Sequence, residues 1–230
     1  MKIGGFVPNS AIDYPGKVSA VVFTQGCNFR CPFCHNADLV TESLPELNVE
    51  DTLAKIKERS KLIEGVVISG GEPLMQRGII SFLERIKELG LKVKLDTNGY
   101  KADILEKIID ADLVDYIAMD LKAPYKKYTD SVGGVRVNVT RIYWAIGLLM
   151  GSAEPLDYEF RTTVLPEFTE QDIREIGSMV RGAKKYALQS FRNDNTLDKA
   201  WRLKDPLSKE TMEQYKKIME EYVKEVELRI

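Results

Sequence analysis

The chain predicts an α/β fold, a mostly parallel sheet with helices packed on its outer side. Two observations carry this. Short segments of strand character alternate with longer segments of helical period, and no internal repeat or low-complexity linker interrupts them. Each polar motif also stands directly after a strand segment. The alternation implies parallel strands joined by right-handed crossovers, and in such sheets functional residues collect at the carboxyl ends of the strands.

The first strand is residues 17–24, rich in Val and Phe. Residues 49–63 are helical, with Leu53, Ile56 and Leu62 on the apolar spacing. Residues 65–69 form a short buried strand, and 76–89 an amphipathic helix with Ile79, Ile80, Phe82, Leu83 and Ile86 inward. A third strand at 91–95, a helix at 103–109 and a fourth strand at 115–119 follow. Beyond a loop containing Gly133 and Gly134, residues 140–150 are helical and 156–165 alternate as a long fifth strand. A helix at 169–181, a sixth strand at 185–189 and a closing helix at 208–228 complete the pattern. Residues 1–230 are expected to form one domain, because a chain of this length can build one sizeable core. The stretch after Gln189 carries no functional motif.

Composition narrows the function. A net charge of −2 provides no basic field for nucleic acid. The most apolar window, residues 142–150, falls far short of the roughly 20 residues that span a bilayer, and the first residues contain no long apolar stretch. A cytoplasmic protein without membrane association is expected. The abundance of Lys and Glu suits thermophile usage and, equally, solvated helix faces.

All three cysteines of the chain fall in Cys27-Asn-Phe-Arg-Cys31-Pro-Phe-Cys34. They form a single site. An odd count confined to one loop argues against a disulfide framework. A [4Fe-4S] cluster ordinarily takes one cysteine per iron, so three leave one iron open for chemistry. Phe29, Pro32 and Phe33 supply an apolar shell that limits water. The alternative is a Cys3His zinc site using His35, the only histidine, although adjacent residues seldom both reach one tetrahedral ion.

Ser69-Gly70-Gly71-Glu72-Pro73 reads as a glycine turn with an acid at a helix start, or as a backbone cradle for a ligand. Asp96-Thr97-Asn98-Gly99 and Asp120-Leu121-Lys122 read as turn and cap residues, or as carboxylates and a lysine converging on one pocket to hold a cation or a charged cofactor. Arg161 faces either inward or outward toward Glu159.

In chain order these residues resemble the radical S-adenosylmethionine (SAM) superfamily. Within it, Cys34-His35-Asn36, the Asp96 to Gly99 segment and the Asp120 to Lys122 segment resemble the glycyl-radical-enzyme activases. The runs from Gly4 to Gly16 and from Cys34 to Ala37 are most similar to the activating proteins of anaerobic ribonucleoside-triphosphate reductase. The resemblance implies an open, partial (β/α)6 barrel. It implies a [4Fe-4S] cluster on Cys27, Cys31 and Cys34, with SAM on the remaining iron. Gly70, Gly71, Glu72 and Pro73 would surround the amino group of SAM, with His35, Asn36, Asp96, Asn98 and Lys122 also at the cofactor. Asp96 and Asp120 would hold a monovalent cation, and Asp13 and Arg161 would meet the substrate peptide. No acid or base catalyst is implied. The implied partners are an anaerobic ribonucleotide reductase, as the glycyl-radical enzyme, and a reduced flavodoxin or ferredoxin. The alternative is the 7-carboxy-7-deazaguanine synthase group, which usually has Asp-Thr where this chain has His35-Asn36. Three departures stand out: Tyr14 replaces a glycine of the activases' Asp-Gly-Pro-Gly segment, their ferredoxin-like insert is missing, and no histidine ends strand six, where Gln189 and Arg192 are the nearest candidates.

Overall fold

A computed structural model describes residues 1–230. In chain order it contains β1 (Ile3–Tyr14), β2 (Lys17–Thr24), α1 (Ala37–Val40), α2 (Val49–Arg59), β3 (Gly65–Gly70), α3 (Ile79–Glu88), β4 (Lys92–Thr97), α4 (Ala102–Asp110), β5 (Tyr116–Asp120), α5 (Tyr128–Ser131), α6 (Val139–Met150), β6 (Asp157–Val164), α7 (Glu170–Met179), β7 (Lys185–Ser190), α8 (Lys209–Met219) and β8 (Glu225–Arg229). The eight strands lie in sequence order, β1 to β8, in one sheet whose first and last members do not pair. Strands β2 to β8 run parallel and β1 runs antiparallel to β2. The six expected strands are β2 to β7, and the sheet stays open as the partial barrel requires.

Period-two alternation divides the sheet into two faces. Val22, Val66, Ile68, Val93, Leu95, Ile117, Met119, Phe160 and Leu188 join the core of 55 buried residues beneath the helices. Helix α7 starts with Thr169 and Asp172 in a reciprocal capping box. The other face lines a hollow. Its lower part is filled by a separate cluster of Tyr14, Val21, Val67, Tyr116 and Ala118, with the Tyr14 and Tyr116 ring centroids 6.0 Å apart. The Tyr14 side chain, at the position where the activases have glycine, thus plugs the base of the hollow.

Two strands lie outside the predicted set. β1 is obscured in sequence by Gly4, Gly5, Pro8 and Asn9. Among the strands it pairs with β2 alone, and the register shifts between Val7 and Ser10; an edge strand with bulges tolerates a proline that cannot donate. The predicted closing helix at 208–228 is in fact two elements, because α8 stops at Met219 and β8 then joins β7. No Gly or Pro punctuates residues 220–224, so the sequence lacks a stop signal there. No helix is long and apolar enough to cross a membrane.

β8 brings its own partner for a buried charge. Arg229 donates to both carboxylate oxygens of Glu159, at 2.9 and 2.7 Å, and to Glu227 at 2.8 Å. Glu159 is only 1% exposed. Arg229→Met strands that carboxylate, and the unfolding free energy is expected to fall by about 3 kcal/mol. Urea denaturation checks this, with the Glu159→Gln, Arg229→Met double variant recovering most of the loss; equal destabilisation in both would contradict the assignment.

Candidate functional site

The carboxyl ends of β2 to β6 surround an open cavity of about 200 Å3. Its walls include the three cysteines, Gly70, Gly71, Glu72, Asp96, Asn98, Asp120, Lys122 and Arg161, together with Phe29, Phe33, His35 and Asn36. Ser69, Thr97 and Thr163 also line it. The motifs the sequence placed on separate strands therefore meet in one place.

Two glycines let the loop after β3 lie against the cysteine loop. Gly70 has φ +108, and a Cβ there would come 2.5 Å from the Thr24 carbonyl oxygen; a Cβ on Gly71 would come 2.1 Å from that of Gly26. Main-chain hydrogen bonds from Gly71 to Thr24 (2.9 Å) and from Glu72 to Gly26 (2.8 Å) join the two loops. Pro73 opens a short 3-10 turn that the Glu72 side chain caps. The Glu72 carboxylate is 1% exposed and accepts from Leu74 N (3.1 Å), Thr97 Oγ1 (2.7 Å) and Asn98 N (2.8 Å). Burial pushes its pKa up to about 7 against these three donors. Asn98 in turn donates to Asn28 Oδ1 at 2.9 Å. Glu72 thus ties three loops together, and what its segment offers a ligand is backbone.

The thiols are unpaired. Burial pushes Cys27 up to about 11 and Cys31 up to about 12, and raises Cys34 as well, with the Lys122 ammonium opposing the rise at each. Ligation by thiolate therefore requires a metal strong enough to displace the protons. The three cysteines share one cavity wall, which fits one thiolate per iron with one iron left over. His35 is engaged elsewhere, its Nδ1 lying 3.0 Å from the Asp194 carbonyl oxygen.

That contact belongs to a strap the sequence did not reveal. Asn195 donates to the His35 carbonyl (3.1 Å), and Leu197 N and Asp198 N donate to Cys34 O (3.0 Å) and Pro32 O (2.9 Å). Trp201 packs on both Phe33 and Phe191, with centroids 5.7 Å apart in each case. The strap makes these bonds largely through backbone, which leaves no residue-type signature. Asn36 donates to the Gly70 carbonyl at 3.5 Å.

On the floor, Arg161 faces inward, donating from Nε to Asp120 Oδ1 (2.8 Å) and from Nη1 to Asp96 Oδ1 (3.4 Å). Lys122 reaches Asp120 Oδ2 at 3.0 Å, Lys94 reaches Asp96 Oδ1 at 2.5 Å, and Ser69 donates to Asp96 Oδ2 at 2.9 Å. Burial alone would raise both carboxyls, but Arg161, with Lys94 at Asp96 and Lys122 at Asp120, outweighs it and holds both below the usual range. Side-chain cations thus stand at both carboxylates of the expected monovalent-cation pair. Lys94 escaped the sequence reading, though it stands two residues before Asp96 and hence on the same face.

Three further expectations change. Asp13 accepts from Ser10 at the β1–β2 hairpin, about 25 Å from the cavity end of β2 at roughly 3.3 Å per residue, so it does not meet the pocket. Gln189 and Arg192 are absent from the cavity wall. Arg192 instead pairs with Asp194 at 3.1 Å.

Residues 21–180 match the Radical SAM superfamily. A Methanocaldococcus jannaschii protein bearing the name glycyl-radical enzyme activating enzyme is 35% identical over 99% of this chain and 95% of its own. The pyruvate formate-lyase 1-activating enzyme of Escherichia coli K12 is 27% identical over 96% of both chains. The 7-carboxy-7-deazaguanine synthase of Hyperthermus butylicus is 41% identical over 37% of both. Among solved structures, Streptococcus suis SuiB bound to S-adenosylmethionine superposes with a TM-score of 0.68 at 14% identity, covering 91% of this chain and 50% of that one; the likeness is one of fold.

Gly71→Ala should push the two loops apart, destabilising the fold by about 1–3 kcal/mol and weakening SAM binding about tenfold or more. Gly90 has φ +74 with nothing within 4 Å of a Cβ, so Gly90→Ala should cost about 1 kcal/mol in backbone strain and leave SAM binding unchanged. Thermal unfolding and equilibrium dialysis with labelled SAM check the pair, and equal SAM affinity in both variants would contradict the packing argument.

Proposed function

Because the chain belongs to the radical SAM superfamily and, within it, to the glycyl-radical-enzyme activating enzymes, we propose that it installs a glycyl radical on an anaerobic ribonucleotide reductase. Bound together, a [4Fe-4S] cluster and SAM supply a one-electron cleavage whose 5′-deoxyadenosyl radical can take a hydrogen atom from a glycine Cα. Cys27, Cys31 and Cys34 hold the cluster in this reading and leave one iron open for SAM. In this reading the amino group meets the backbone carbonyls of Gly70 and Gly71, since the Glu72 carboxylate is occupied by protein donors and the Glu72 and Pro73 carbonyls accept from Met75 N and Gln76 N. Lys122, Lys94 and Arg161 outnumber Asp96 and Asp120, so the floor attracts the SAM carboxylate. Phe29 and Phe33 exclude water beside the cysteines. Arg161 acts as a clasp for the floor, its guanidinium being committed to two carboxylates, and a direct grip on the substrate glycine is not assigned to it or to Asp13.

The observation that carries the reading is one cavity containing the three thiols, the Gly70-Gly71 backbone and the Asp96–Arg161–Asp120–Lys122 group. None of its side chains needs to act as a general acid or base, because hydrogen-atom transfer depends on placement. The choice of ribonucleotide reductase as target rests on the likeness of the Gly4 to Gly16 and Cys34 to Ala37 segments to those activators. His35-Asn36 in place of Asp-Thr weighs against a deazaguanine synthase. A reduced flavodoxin or ferredoxin completes the proposal as electron donor in the cytoplasm.

Anaerobic reconstitution should give about four irons per chain, lost on changing any one of Cys27, Cys31 or Cys34 to Ala. With SAM, a reductant and an anaerobic ribonucleotide reductase, electron paramagnetic resonance should show a glycyl doublet, and deuterium from a Cα-labelled glycine should appear in 5′-deoxyadenosine. Turnover of carboxy-tetrahydropterin without any glycyl radical would transfer the assignment to the deazaguanine synthase group.

A further inference from the structure

Lys94 is the sole lysine in the buried set, at 3% exposure. Lysines are almost never this buried unless paired. In the sheet register it lies between Val67 on β3 and Tyr116 on β5, both members of the apolar cluster that fills the base of the hollow. The surroundings leave the ammonium one anionic neighbour, Asp96 Oδ1 at 2.5 Å. Arg161 lies 3.4 Å from the same oxygen and bridges to Asp120. All four carboxylate oxygens of Asp96 and Asp120 already accept from protein donors, namely Lys94, Arg161, Ser69 and Lys122. Three cations face two anions, so an added K+ or Na+ would enter a positive cluster with no carboxylate oxygen free of a donor.

We propose that Lys94 is a positioning residue that, with Arg161, is the built-in counter-charge of the Asp96–Asp120 pair, so that SAM binds here without a monovalent cation. The anchored ammonium fixes Asp96, Asp96 and Asp120 fix Arg161, and the excess positive charge meets the carboxylate of SAM. This rests on SAM being the ligand of the cavity, as the proposed function holds, but its ion titration is independent of that reading. The probe is Tl+ followed by thallium-205 NMR on the anaerobically reconstituted protein, alongside SAM dissociation constants measured in tetramethylammonium, Na+ and K+ buffers. Wild type should show no stoichiometric Tl+ site and SAM affinities within about twofold across the buffers, whereas Lys94→Met should lose about tenfold in tetramethylammonium and regain most of it in K+. Lys94→Arg should behave as wild type. A Tl+ site on wild type, or SAM binding at least about tenfold tighter with K+, overturns the proposal even if Lys94→Met does not fold. A Lys94→Met protein that keeps wild-type SAM affinity in every buffer overturns it as well. Failure to form a glycyl radical, with these ion results intact, would instead count against the proposed function.

Discussion

A largely buried guanidinium held between two carboxylates organises this molecule. Arg161 on β6 reaches Asp120 on the adjacent strand and Asp96 one strand further. Removing three charges from water is costly, and only close geometry with further donors offsets it. Ser69, Lys94 and Lys122 supply those donors. The floor of the cavity therefore has one low-energy arrangement, which is what a reaction governed by placement requires. Below it, the apolar cluster around Tyr14 and Tyr116 and the Glu159–Arg229 pair fill the hollow. Above it, the cavity stays open.

The walls are held by a different device. Glu72 takes donors from its own turn and from the loop after β4, while Gly70 and Gly71 let its segment lie on the cysteine loop. The residues after β7 close the other side by bonding the Cys34 and Pro32 carbonyls and packing Trp201 on Phe33. The cysteine loop is thus fixed from both sides, one through Glu72 and Asn98, the other through the strap. Three thiols in a loop so held can bind a cluster while one corner remains for a cofactor, and the aromatic rings limit water there.

Much of this was legible in sequence because the parallel core obeys simple periodicities. The strand 17–24 was bounded as the structure has it, and the other five core strands end near the motifs assigned to them. Isolation of the cysteines in one loop marked the site. What escaped detection has identifiable causes. β1 is an edge strand whose Gly and Pro residues resemble loop, and β8 follows α8 without a Gly or Pro to mark the break. The strap works chiefly through backbone. Lys94 was visible as the same-face neighbour of Asp96, yet only the fold shows the apolar residues that leave it nowhere else to go. The ion pairs at Asp96 and Asp120 were missed for the same reason, since spacing reveals the carboxylates but not the side-chain cations folded against them. Asp13 was named by motif alone, and the direction of β1 puts it at the hairpin end of the sheet, away from the cavity wall.

The central claim is that the three-cysteine wall leaves an iron for SAM beside the Gly70–Gly71 backbone and above the Arg161 floor. Electron-nuclear double resonance on the reduced protein with SAM carrying a nitrogen-15 amino group tests it most directly. The account predicts a resolved nitrogen-15 coupling to the cluster that appears only when SAM is added. A cluster spectrum unchanged by SAM, with no such coupling, would contradict it.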